Sequence, residues 1–70
     1  MKKNEGQIAL GLRLRELREH NGKTKKRIAE VMGISTFRYT NIEKGTGVFY
    51  LGQAKKLAEY YNISLDDLMG

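Results

Sequence analysis

Lys25 to Gly45 reads KKRIAEVMGISTFRYTNIEKG, and the spacing of its apolar residues decides the fold. Ile28, Ala29 and Met32 recur at the interval of one helical face, and after a break Tyr39 and Ile42 do the same. Gly33 lies at the break, where a residue free to take positive φ ends a helix without a Cβ clash. Ser35, two residues on, has the hydroxyl that caps the next helix. The stretch therefore predicts a helix over Lys25 to Met32, a tight turn, and a second helix from about Thr36 to Lys44, stopped by Gly45.

Upstream, Leu10, Leu14 and Leu17 recur at helical spacing from about Ile8 to Asn21, with Arg13, Arg15, Glu16, Arg18 and Glu19 on the other faces. Gly22 stops this first helix, and Thr24 is the expected N-cap of the second. Residues 1–7, MKKNEGQ, are polar and aperiodic, which predicts a flexible basic tail ahead of one domain over 8–70. Downstream, Thr46 to Tyr50 is a connection, and Leu51, Ala54, Leu57, Ala58 and Tyr61 give a fourth helix its apolar stripe, with Tyr60 also read as core. Ser64 followed by Asp67 resembles a capping box opening a short fifth helix that packs Leu65, Leu68 and Met69. The fold class is all-α, a compact five-helix domain.

A chain of 70 residues buries only ~60% of its unfolded surface, which argues against a deep catalytic cleft. The net charge of +5 points to a polyanionic partner. Residues 1–45 carry 11 Lys/Arg against 5 Asp/Glu, whereas residues 46–70 carry 2 against 3, so the basic surface coincides with the half that holds the helix pair. With no cysteine there is neither a disulfide framework nor a thiolate metal site. The apolar stretch from Ile8 to Leu12 ends at Arg13, too short for a signal peptide or a membrane span, and a cytoplasmic protein is expected. His20 is alone at the end of the first helix, and no Ser-His-Asp set or phosphate-cradling glycine loop occurs. No catalytic residue, metal ligand or cofactor is therefore assigned, and an enzyme is not expected.

Four pieces of the chain, LGLRLRELRE (10–19), MGIS (32–35), NIEKG (41–45) and LAEYYNISLDDLM (57–69), together resemble the Cro/repressor-type (Xre) helix-turn-helix domain of bacterial and phage transcriptional regulators. The resemblance implies a lambda-repressor-like five-helix fold and a regulator that binds double-stranded DNA. It also implies a partly buried ion pair between Arg18 and Glu43. The chain departs from the family pattern at Lys23, usually apolar, and at Lys25, often a glutamine that anchors a phosphate. It departs again in the readout residues of the third helix and in the loop Val48-Phe49-Tyr50, which is usually polar. No operator sequence carries over.

With Tyr39 and Ile42 facing the core, Thr36, Phe37, Thr40 and Asn41 face outward and Arg38 lies at the edge, so these five are the candidate base contacts. Asn41 can bond adenine, Arg38 guanine or phosphate, and Phe37 or a threonine methyl can meet a thymine methyl. Phe37 could equally pack on a neighbouring element, and the others could be ordinary exposed polar residues. Lys25, Lys26 and Lys44 are the candidate phosphate contacts, with Thr24 and Ser35 as caps whose adjacent N–H groups also meet an anion. Cations at the start of a helix oppose its dipole, so a purely structural reason for Lys25 and Lys26 is poor. Arg13 and Arg15 read as a solvated face.

Such modules gain affinity by pairing across a palindrome, so a homodimer is expected. The apolar run Val48, Phe49, Tyr50 and Leu51 is its candidate interface; the alternative is that part of the run caps the core. A second class of function stays open, in which the same fold pairs with a protein partner through that loop. The chain could also be the N-terminal part of a longer regulator.

Overall fold

The computed structural model describes residues 5–70, apart from the side chain of Glu5. Helices α1 (Glu5–His20), α2 (Lys25–Met32), α3 (Thr36–Lys44), α4 (Leu51–Tyr61) and α5 (Leu65–Met69) are its regular elements. α1 packs on α3 and α5, α2 on α3 and α4, and α4 on α5.

The helix ends follow from local chemistry. Thr24 Oγ1 accepts the Arg27 N–H at 3.0 Å, Ser35 Oγ the Arg38 N–H at 3.1 Å, and Ser64 Oγ the Asp67 N–H at 3.0 Å. Each satisfies a backbone donor that a helix start leaves unpaired, worth about 1 kcal/mol. At Ser64 this is half of the capping box that the sequence suggests. Tyr50, which has no capping hydroxyl in reach of its own first turn, has its N–H bonded instead by Gln53 Oε1 at 3.0 Å. The first four helices all stop in one way, with a left-handed residue (Gly22, Gly33, Gly45 or Asn62) followed by an N–H that reaches back five residues. Those bonds run from Lys23 to Arg18, Ile34 to Ala29, Thr46 to Asn41 and Ile63 to Ala58, at 2.9–3.0 Å.

The core is formed by Leu14 of α1, Ile28, Ala29 and Met32 of α2, Tyr39 and Ile42 of α3, Ala54, Leu57 and Ala58 of α4, and Leu68 of α5. Tyr60, Tyr61 and Leu65 are half-buried around it. Three details of the sequence reading change, one a boundary and two burial assignments. α1 starts at Glu5, so 5–7 are helical rather than tail, because extending a formed helix adds a hydrogen bond for each residue fixed; residues 1–4 of that tail lie outside the described residues. Leu51, the first residue of α4, does not join the α4 stripe and is 60% exposed, whereas Ala54 one turn on is buried. Met69, at the last turn of α5, is likewise exposed, and Leu68 alone fills that contact.

Candidate nucleic-acid interface

α3 is pinned to the body along one side. Tyr39 and Ile42 are buried, and Glu43 receives Arg18 of α1 in a fork, Nε to Oε2 at 2.6 Å and Nη2 to Oε1 at 3.2 Å. The two side chains are 10% and 5% exposed. Arg18 Nη1 also donates to the Lys23 carbonyl at 3.1 Å, so one guanidinium ties α1, the start of α2 and the end of α3 together. The hydrogen bond to Glu43 keeps Arg18 charged against desolvation. Beside the pair, the hydroxyls of Tyr39 and Tyr61 are buried without a partner among the described residues. Burial pushes both phenols up, Tyr61 to about 12, so both are neutral at physiological pH.

The opposite side of α3 is presented outward. Thr36, Phe37 and Arg38 are exposed, Phe37 by 74%, and Thr40 and Asn41 are half-buried lower on the same face. The Asn41 carbonyl accepts the N–H groups of Thr46 and Gly47 at 2.9 and 3.1 Å, fixing the loop, while its side-chain amide bonds to none of the described residues. Phe37 does not join the core and is mostly in solvent.

Next to this face stands the start of α2. Thr24 caps it, and Lys25, Lys26 and Arg27 follow with no acidic residue in the first turn. Arg27 is engaged with Glu30 at 3.5 Å, and Lys23 lies 5.6 Å from the centre of the Tyr60 ring. Among the described side chains, Lys25, Lys26, Arg38 and Lys44 have no carboxylate within 4 Å. Lys44 differs in favouring its own helix, since it sits in the last turn of α3.

Lys25, Thr40 and Lys44 come together with Ile8, Leu12, Arg15 and the Arg18–Glu43 pair around an open groove of about 480 Å³ between α1, α2 and α3. By sequence Arg15 belongs to a solvated face of α1. It borders this groove, held at 3.2 Å by Glu19. Its signal in the sequence was a second face on α1, Ile8, Leu12 and Arg15 at i, i+4 and i+7, apart from the core stripe. Lys26, Thr24 and Ser35 lie outside the groove. In the loop after α3, Phe49 is half-buried against the core, whereas Val48 and Tyr50 are exposed with Leu51. The run that the sequence treats as one patch is thus split.

An exposed helix face set beside an uncompensated basic helix start, on a five-helix body, defines a helix-turn-helix domain of the Cro/repressor (Xre) type. The chain belongs to the family described as helix-turn-helix domain, whose model matches residues 11–70. Its structure is similar to the crystal structure of the restriction-modification controller protein C.AhdI from Aeromonas hydrophila, with a TM-score of 0.85 and 26% identity over 97% of this chain and 99% of that one. Among curated proteins none matches. The chain is a DNA-binding transcription regulator of the helix-turn-helix class. No helix among the described residues is long and apolar enough to cross a membrane.

Proposed function

We propose that the protein is a cytoplasmic, sequence-specific regulator that represses by occupying a palindromic operator as a homodimer, with α3 in the major groove. Thr36, Phe37, Arg38, Thr40 and Asn41 face the bases. Thr24, Lys25, Lys26, Ser35 and Lys44, joined by Arg15, hold phosphates. The observation that carries this reading is the start of α2. Lys25 and Lys26, without carboxylate partners, oppose the dipole of their own helix, and Lys25 shares a groove with Thr40 and Lys44 of α3. A phosphate there reverses the sign of that cost. Likeness to a restriction-modification controller supports a regulatory role.

Selection of bound duplexes from a random-sequence pool at two salt concentrations tests it. An enriched palindrome, bound more weakly as salt rises, is expected. Exposure of Val48, Tyr50 and Leu51 favours a second reading, a contact with a protein partner. Binding that is blind to sequence would shift the weight to that reading.

A further inference from the structure

Phe37 holds a singular position on α3. At about 100° per residue, Tyr39, Ile42 and Glu43 fall about 140° to 240° around the helix from it, so Phe37 marks the centre of the face turned away from the core. It is also the second residue of the helix, and helical side chains lean toward the N-terminus. The ring therefore stands over the first turn, the part of a recognition helix that reaches the base edges. Its neighbours there are Thr36, Arg38, Thr40 and Asn41, and no apolar side chain shields it. The ring, 74% exposed, is a large apolar surface at the centre of an otherwise polar face that carries Arg38.

The floor of the major groove is mostly hydrogen-bond donors and acceptors, and its one apolar feature is a methyl on C5 of a pyrimidine. We propose that Phe37 is a specificity-determining residue that reads a pyrimidine C5 methyl, carried by thymine or by 5-methylcytosine. The assignment rests on the operator-binding reading above and adds what one residue of that interface recognises. The ring makes van der Waals contact with the methyl and excludes water from it, while Arg38 and Asn41 supply the hydrogen bonds.

The test uses a duplex enriched from the random pool, with each thymine replaced in turn by uracil, which pairs identically and lacks only the methyl. A second series replaces each cytosine by 5-methylcytosine. One position in each half-site should respond, with affinity falling about 4-fold for loss of a thymine methyl or rising about 4-fold for gain of a cytosine methyl. Which series responds identifies the source. Phe37→Ala, with an unchanged melting curve, should bind the parent duplex more weakly and lose that discrimination; Phe37→Leu should keep part of it. Equal affinity across both series, or discrimination that survives in Phe37→Ala, overturns the assignment while leaving operator binding intact. Failure to enrich any duplex overturns both.

Discussion

Gly11 of α1 lies against the carbonyl of Ile42 in the last turn of α3, so closely that a Cβ on Gly11 would stand 2.7 Å from that oxygen and would also overlap the carbonyl of Glu43. The missing side chain sets how near the two helices approach. Because backbone rather than a flexible side chain is in the way, α3 would have to move. Gly11→Ala should cost about 1–3 kcal/mol, read as a lower melting temperature. Gly6→Ala is the control, since nothing lies within 4 Å of its Cβ position; there alanine should be neutral or stabilising by up to about 1 kcal/mol. Equal effects at the two sites would refute the close approach.

The Arg18–Glu43 fork makes a second prediction. Arg18→Ala strands a buried carboxylate and Glu43→Ala a buried guanidinium, and each should cost about 3–5 kcal/mol in denaturant unfolding. Removing both, as Arg18→Ala with Glu43→Ala, should cost less than the sum of the two single changes, because no charge is left unpaired. Strict additivity would show that the two side chains do not interact.

At the start of α2, stability and binding should part. Lys25→Glu replaces an unfavourable dipole interaction by a favourable one and should stabilise the free protein by about 0.3–1 kcal/mol. The same change should weaken duplex binding and make it less steeply salt-dependent, since a phosphate contact is lost. Thermal melts and a salt titration of the enriched duplex read the two effects. A variant that binds as tightly as its parent would remove Lys25 from the interface.

The loop is best probed away from Phe49, whose half-buried ring would confuse folding with assembly. Leu51→Glu alters a side chain that is mostly in water and should leave the melting temperature of the monomer nearly unchanged. If Val48, Tyr50 and Leu51 form the dimer contact, sedimentation should show this variant shifted toward monomer. A dimer as strong as the parent's would place the contact elsewhere.

Much of the fold is legible along the chain. α2 and α3 run from Lys25 to Met32 and from Thr36 to Lys44, the bounds that Thr24, Gly33, Ser35 and Gly45 imply. The buried faces Ile28, Ala29, Met32 and Tyr39, Ile42 follow from periodicity alone. The misjudged residues sit at helix ends. Leu51 and Met69 match a stripe by spacing, yet burial needs a neighbour at that height along the helix, and periodicity is silent about height. For the candidate site, the outward residues of α3 are readable from the wheel, whereas Arg15 is signalled only by the second face it shares with Ile8 and Leu12, which does not say that α2 and α3 border that flank.

The division has a simple physical origin. Caps, stops and face assignments depend on residues within a few positions of one another, whose bonds form inside a single turn of helix, so order along the chain settles them. The bare ring of Phe37, the split of Val48 and Tyr50 from Phe49, and the meeting of Arg15, Lys25, Thr40 and Lys44 at one groove depend on the distance and angle between helices. Those are set by contacts such as Gly11 on Ile42 and Arg18 on Glu43, between residues 31 and 25 positions apart, and exist only once the helices have packed.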